Sequence, residues 1–229
     1  MKIPAEISEK MMDTAKMVLR LKSSFARNHL QAAAGAARDA YKVEQANANA
    51  EFGAWFEEMM RLVPVSVVMA GAALEASANE LIQDILDGST NLSVTKGCKL
   101  LLMDLKDERS GNATDKHRKL ALLFDKEPET GKVAWQDGEL LVKFRNSFMH
   151  FKPAWDDEAI HSGALVKGLK TRMHVARAYQ SSFQFPYGFM TYGCAKWAVQ
   201  TVLTFSSTFT KLLGVTDKFS LPGLDFKLL

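Results

Sequence analysis

Cysteine is scarce in this chain of 229 residues, which contains only two, Cys98 and Cys194. They lie far apart, and neither belongs to a Cys-x-x-Cys pair or to a cluster of cysteines and histidines, so no structural zinc site is indicated. The histidines show no paired ligand spacing, and no cluster of Asp and Glu suits magnesium. We therefore predict no metal, no cofactor, and two free, buried thiols in a reducing cytosol.

Long apolar runs are also missing from the sequence. The longest uncharged one, LVPVSVVMAGAAL, spans residues 62–74, and it is shorter than the roughly 20 residues that cross a bilayer. The N-terminal sequence MKIPAEISEKMMD contains acidic residues and lacks the apolar region of a signal peptide. These absences predict a cytoplasmic protein without membrane association, in which the apolar run belongs to a buried helix.

Several motifs that carry chemistry are absent as well. The sequence contains no Gly-rich phosphate loop, no HExxH, no GxSxG and no paired-carboxylate spacing. It also lacks a block of Lys and Arg, and its formal net charge is only +3. This mildly basic balance permits an RNA or phosphate ligand without requiring one.

Helical signals dominate what the sequence does contain. Residues 9–61 include no proline and are rich in Ala, Met, Lys, Glu and Gln, which favour helix. Pro64 restarts the chain in the first turn of a second, largely apolar helix that ends at Gly88. Short helices are predicted over CKLLLMDLK and HRKLALLF, and a last helix runs from about Tyr192 to Gly214. No segment alternates like a strand, so we predict an all-α helical bundle with a long N-terminal helix and a C-terminal packing helix.

The segment DGELLVKFRNSFMHFKP is the most informative of the predicted helices. Asp137 is its expected N-cap and Pro153 ends it. On a helical wheel at about 100° per residue, four apolar side chains share one face: Leu141, Phe144, Phe148 and Phe151. We predict that this face packs into the core.

The opposite side of the same helix carries a polar arc. Arg145, Asn146 and His150 lie there and bracket two apolar side chains, Val142 and Met149. Because apolar surface lies inside the arc, we expect it to be covered by another part of the chain or by a second copy. A dimer with two such helices face to face brings two arginines and two histidines together.

Residues 145–150, RNSFMH, resemble the R-x4-6-H motif of the HEPN superfamily, in which the arginine is often followed by a polar residue. The segments AALEASANELI (residues 72–82) and FPYGFMTYGCAKWAV (residues 185–199) are similar to helices of bacterial HEPN proteins. The resemblance covers roughly residues 50–215. Only RNSFMH is a functional motif, and its bare spacing is not specific.

Many HEPN proteins are metal-independent endoribonucleases that act as dimers, some of them as toxins or in antiviral defence. The resemblance implies the same activity here, with cleavage of RNA by attack of the ribose 2′-OH in a toxin, defence or stress role. By the same resemblance, Arg145, Asn146 and His150 take the catalytic roles. Arginine suits phosphate because of its planar fork of donors, and histidine suits proton transfer near neutral pH. The implied partners are RNA, a second copy of the chain, and an antitoxin or regulatory protein.

Four further residues are candidates for substrate binding: Glu75, Asn79, Lys152 and Trp155. Glu75 and Asn79 are four residues apart on one helix face, where a structural polar pairing is the alternative. Trp155 could stack a base, or it could pack in the core or an interface. Arg145 could also form a structural bridge to an acidic neighbour such as Glu75, which leaves its role open at the level of sequence.

The resemblance also divides the chain into three parts. Residues 1–50 form a helical extension that packs on the bundle, residues 51–215 a HEPN-like helical domain, and residues 216–229 a C-terminal tail. Two alternatives to the nuclease remain. One is a non-catalytic HEPN-like module that binds a nucleotide or a partner protein in the same cleft, and the other is a helical interaction protein in which RNSFMH is structural.

Overall fold

The computed structural model describes residues 23–107, 111–152, 163–180, 184–222 and 226. Within these ranges the chain forms seven α-helices and no strand, so the predicted all-α bundle is confirmed. The helices are α1 (Ala26–Ala46), α2 (Trp55–Leu86), α3 (Lys96–Lys106), α4 (Ala113–Leu123), α5 (Val133–Met149), α6 (Gly163–Lys170) and α7 (Tyr192–Leu213). Three short 3-10 helices accompany them: Arg177–Tyr179, Tyr187–Phe189 and Lys218–Ser220.

Helix α2 is the 32-residue axis of the bundle. It packs against α1, α3, α4, α5 and α7. Its buried side chains recur every three or four residues, as in Phe56, Met59, Val63, Val67, Ala70 and Leu74. Helix α1 faces it with alanines that are fully buried, among them Ala33, Ala34, Ala37 and Ala40. Such small side chains let two helices approach closely, so α1 is part of the same hydrophobic core.

The start of α2 differs from the sequence prediction. The helix begins at Trp55 and continues through Pro64, which therefore lies in its interior and not in its first turn. An interior proline costs about 3 kcal/mol because it removes one hydrogen bond and crowds the preceding turn. Phe56, Met59 and Val63 extend the buried stripe across this point, and burial of these three side chains offsets the cost.

The predicted continuous helix over residues 9–61 is also interrupted. Helix α1 ends at Ala46, and residues 47–54 form turns before α2 begins. Two asparagines and a glycine, all poor helix formers, occupy this connection. Asn47 closes the end of α1, because its side-chain amide donates to the carbonyl of Val43 at 2.8 Å. Residues 9–22 lie outside the described part of the chain.

Helix α7 follows the prediction closely. It begins at Tyr192, with Thr191 as its N-cap, and its last residue is Leu213. Gly214 follows in the left-handed conformation at φ 72°, which is the usual place for glycine after a helix. Phe205 and Phe209 on α7 are buried in the core.

Helix α2 is also the one helix in the described residues that is long and apolar enough to cross a membrane. About 44% of its most apolar window is buried inside the bundle. Core helices of soluble bundles share this length and composition.

A buried carboxylate on α2 joins the first and last described parts of the chain. Glu80 accepts hydrogen bonds from the backbone N–H groups of Phe25 and Ala26 at 2.7 and 2.8 Å. It also accepts from the hydroxyl of Ser24 at 2.7 Å and from Lys218 at 3.0 Å. Burial alone raises the pKa of a carboxyl group, but the bonds from Ala26, Ser24 and Lys218 outweigh burial and hold the pKa of Glu80 below its ordinary value. Glu80 thus supplies the N-terminal cap that the α1 sequence itself lacks.

Candidate functional site

The helix that carries RNSFMH, α5, begins earlier than its sequence indicates. Its N-cap is Lys132, so the prediction that Asp137 caps it is wrong. Asp137 instead lies in the helix and forms an ion pair with Arg172. An acidic residue one turn into a helix can form such an ion pair and also interact favourably with the positive, N-terminal end of the helix dipole. The helix ends at Met149, and Pro153, its predicted end, lies outside the described residues.

The predicted core face of α5 is correct for its first part only. Leu141 and Phe144 are fully buried. Phe148 is half-buried and contacts Phe144 with a ring separation of 4.8 Å. The prediction fails for Phe151, which is 43% exposed. Because the helix has already ended at this residue, the helical wheel no longer describes its direction.

Arg145 projects from α5 towards α2. One terminal nitrogen donates to Glu75 Oε2 at 3.2 Å, and the other donates to Asn146 Oδ1 at 3.0 Å. The stem of the side chain lies over Gly71, where an added Cβ would come within 2.8 Å of Arg145 Cγ. The bridge to Glu75, one alternative left open by the sequence, is therefore present in the structure.

A small pocket of about 80 Å³ opens beside this guanidinium group. It is lined by residues of α2, the start of α4 and α5: Gly71, Glu75, Asn112, Ala113, Val142, Arg145 and Asn146. Liquid water occupies about 30 Å³ per molecule, so the pocket admits a small polar group and not a nucleobase. Within the described part of the chain, the buried Nε of Arg145 has no hydrogen-bond partner.

His150 lies at the other end of the motif and is exposed. It is the C-cap of α5, and its backbone N–H donates to the carbonyl of Asn146 at 2.9 Å. One copy of the chain brings Arg145, Asn146 and Glu75 together at the small pocket, and His150 does not line it.

An apolar groove of about 510 Å³ is lined by Met149 and Phe151, the residues on either side of His150 in the chain. It lies between the first half of α2, the end of α5 and the 3-10 helix Tyr187–Phe189. Its lining is Met60, Pro64, Val65, Val68, Met69, Phe148, Met149, Phe151, Pro186, Tyr187 and Met190. Met149 is 55% exposed. Of the two apolar residues in the predicted polar arc, the chain itself buries Val142 and leaves Met149 open to solvent.

Two of the remaining predicted binding residues, Asn79 and Lys152, do not line the pocket beside Arg145. Asn79 accepts a hydrogen bond from the ammonium group of Lys116 at 2.9 Å. Lys116 is only 2% exposed, so Asn79 provides a structural polar pairing for a buried charge. Lys152 is exposed, and Trp155 lies outside the described residues.

Sequence reasoning missed the contribution of α4 to this region. Asn112 caps α4 in a capping box with Asp115, and this Asn-x-x-Asp spacing was visible in the sequence. Lys116 and His117 are both buried, which nothing in their spacing indicates. Burial lowers the pKa of His117 to about 4, against the opposing effect of its hydrogen bond to Ala113.

The two cysteines are free, as predicted. Cys194 is buried and Cys98 is half-buried. Burial raises the pKa of both thiols, which disfavours their reactive thiolate form. Among the described residues, no three His, Cys, Asp or Glu side chains lie close enough together to hold a metal ion.

The end of α5 can thus supply two kinds of chemistry. A guanidinium group fixed by two acceptors can bind an anionic oxygen, and an exposed imidazole can transfer a proton. In one copy of the chain the guanidinium group borders the small pocket and the imidazole does not. Comparisons of the chain with models of protein families, with curated proteins and with solved structures found no match.

Proposed function

We propose that the protein is a metal-independent endoribonuclease whose active site is completed by two copies of the chain. The observation that carries the proposal is the exposed His150 at the end of the helix that also holds Arg145, between two residues, Met149 and Phe151, that line an open apolar groove. Cellular RNA as a substrate implies a cytoplasmic location. The resemblance of RNSFMH to the HEPN motif suggests a toxin, defence or stress role with a regulatory partner.

Arg145 is the phosphate-binding residue in this proposal. A guanidinium group has five N–H donors, and the bonds to Glu75 and Asn146 use one on each terminal nitrogen. The donors that remain can reach a phosphate oxygen, for which the neighbouring small pocket has the right size. Asn146 holds the plane of the guanidinium group, so it is a positioning residue.

His150 moves the proton. The 2′-oxygen of the ribose attacks the adjacent phosphorus and forms a new P–O bond, while the bond from phosphorus to the 5′-oxygen breaks. An imidazole takes the proton of the 2′-OH, and an imidazolium returns a proton to the leaving 5′-oxygen. The products are a 2′,3′-cyclic phosphate and a 5′-hydroxyl. Two copies supply two histidines, so base and acid need not be the same residue.

The second copy is needed for geometric reasons. Arg145 lines the small pocket whereas His150 does not, and no other described cation borders that pocket. A two-fold axis near Met149 places His150 of one copy towards Arg145 of the other. The same contact covers the apolar groove and the exposed side chains of Met149 and Phe151, which removes apolar surface from water.

A non-catalytic binding module is the second candidate. It is favoured by the ion pair between Arg145 and Glu75, because this pair already satisfies part of the guanidinium group in the absence of any ligand. In that case Arg145 joins α5 to α2, and the groove binds a partner protein. The two candidates predict different effects of removing His150. The nuclease should lose its cleavage activity, whereas a binding module should be unaffected, since an exposed histidine has no structural role there.

The activity is tested by incubating purified protein with total RNA in EDTA. Wild type should cleave, and His150→Ala should lose about 10²–10⁴ in rate. A matched control is His174→Ala, which removes another exposed histidine and should cut normally. If wild type leaves RNA intact, or if His150→Ala cuts as fast as wild type, the nuclease assignment is wrong and the binding module is favoured.

The assembly is tested by light scattering at micromolar concentration. Wild type should be dimeric, and Met149→Glu should be monomeric and inactive although His150 is retained. Leu101→Glu is the control, because Leu101 is also exposed but lies on α3, outside the groove. A wild type that cleaves RNA as a monomer contradicts the two-copy site.

A further inference from the structure

A second cavity, of about 550 Å³, lies on another part of the bundle. It is formed by the second half of α2, by α4, by α7 and by the segment after α7 that ends in the 3-10 helix Lys218–Ser220. Its apolar wall includes Leu81, Phe209 and Phe219. Cavities of this volume commonly hold small organic molecules. Neither Arg145 nor His150 lines it, so the cavity is separate from the proposed nuclease site.

Three of the hydroxyl groups that line this cavity have already donated their protons. Ser77 donates to the carbonyl of Leu74, Ser206 to Asp217, and Thr210 to the carbonyl of Ser206, each at 2.8 Å. A hydroxyl group has only one proton to donate. These three oxygens can therefore only accept a hydrogen bond from a ligand.

His117 adds a further acceptor. Its Nδ1–H donates to the carbonyl of Ala113 at 2.7 Å, which leaves Nε2 as the acceptor nitrogen of a neutral imidazole. The ring is held edge-on between Phe205 and Phe209, with ring separations of 4.9 and 4.6 Å. Phe209 and Phe219 also line the cavity, and aromatic walls of this kind pack well against a flat ring.

The one lysine among the lining residues does not favour an anion. The ammonium group of Lys218 forms ion pairs with Glu80 at 3.0 Å and with Asp84 at 2.7 Å. Two carboxylates therefore surround one ammonium group at this wall. An anionic ligand would meet an excess of negative charge at this wall.

We propose that this cavity binds a flat heteroaromatic molecule that donates hydrogen bonds through N–H groups and carries no anionic group. The acceptor set of Ser77, Ser206, Thr210 and His117 recognises the donors, and the apolar wall contacts the ring. The assignment goes beyond the proposed nuclease and does not depend on it.

The test uses three probes with the full chain: adenine, tryptamine and indole-3-acetate. Binding is followed by ligand-detected NMR and by titration calorimetry. Adenine and tryptamine should bind, and indole-3-acetate should bind at least about tenfold more weakly, because its carboxylate meets the excess of negative charge beside Lys218. Tryptamine and indole-3-acetate share the indole ring, so their comparison isolates the effect of the charged group.

Two variants locate the binding. Thr216→Trp fills the mouth of the cavity at an exposed residue and should abolish binding of both amines. Thr204→Trp places the same side chain on an exposed position of α7 outside the cavity and should leave binding unchanged. His117→Phe should weaken adenine binding by removing the acceptor while keeping an aromatic ring. The proposal is overturned if neither amine binds wild type, if indole-3-acetate binds as well as tryptamine, or if Thr216→Trp binds both amines normally.

Discussion

Gly71 determines how closely α5 approaches α2, and a single methyl group tests that packing. A Cβ at Gly71 would lie 2.8 Å from Arg145 Cγ and 3.0 Å from Arg145 Cβ, whereas nothing lies within 4 Å of a Cβ at Gly35. Both glycines are inside helices, so helix propensity favours alanine at each by about 1 kcal/mol. The gain in helix propensity is the same for Gly71→Ala and Gly35→Ala. The difference between the unfolding free energies of these two variants therefore isolates the steric cost.

The expected steric cost is about 1–3 kcal/mol, the usual range for one extra carbon in a packed site. Gly35→Ala should raise the free energy of unfolding by about 1 kcal/mol. The free energy of unfolding of Gly71→Ala should be about 1–3 kcal/mol lower than that of Gly35→Ala. Urea denaturation followed by circular dichroism measures both, provided that the two variants share one m-value. Gly71→Ala should also slow RNA cleavage, because the displaced atoms carry the guanidinium group. Equal unfolding free energies for the two variants, within about 0.5 kcal/mol, would refute the close approach described here.

Three other predictions concern the core, the pH dependence and the ion pair. Phe144→Ala should lower stability by about 3–5 kcal/mol because Phe144 is fully buried. Phe148→Ala should lower stability less because Phe148 is half-buried. Melting curves that show the same loss of stability for both variants would contradict this order. The pKa of His117 is about 4 in the folded state and about 6.5 in an unfolded chain. The contribution of neutral His117 to the free energy of unfolding is therefore fully present above about pH 6.5 and is lost as the pH falls towards 4. Between pH 7 and pH 5 the free energy of unfolding should fall by about 2 kcal/mol for this reason. Urea denaturation should show that His117→Phe lacks this part of the pH dependence, and an identical pH profile would argue against a neutral buried His117. Glu75→Gln should change the free energy of unfolding by less than about 1 kcal/mol, since the Arg145–Glu75 pair is partly exposed. In a filter assay it should tighten RNA binding, because it removes a negative charge beside the phosphate site. Weaker binding would show that Arg145 depends on Glu75 for its position.

Local sequence signals predicted those parts of the fold that short-range physics decides. Thr191 and Gly214 delimit α7 because a hydroxyl cap and a left-handed glycine act within one turn. The buried face of α5 was predictable for Leu141 and Phe144, which share one side of a regular helix. Phe151 was not, because its direction depends on where the helix stops.

Other features depend on contacts between distant segments, which no local pattern reports. Pro64 stays inside α2 because the core on both sides of it outweighs its local cost. The burial of Lys116 depends on Asn79, 37 residues away in sequence. The Arg145–Glu75 pair was open to prediction because both residues were already candidates, whereas Gly71 became visible only through the approach of α5.

The carboxylate of Glu80 has a topological consequence for engineering. Ser24 and Lys218 contact the same oxygen of Glu80, and Arg27 donates to the carbonyls of Leu221 and Pro222 at 3.2 and 2.8 Å. The segments that enter and leave the bundle are therefore neighbours in space, and a short linker can join residue 222 to residue 23. New chain ends could then be opened in the exposed connection between α4 and α5. Such a circular permutant would keep the contacts among the described helices, and its chain ends would lie between α4 and α5.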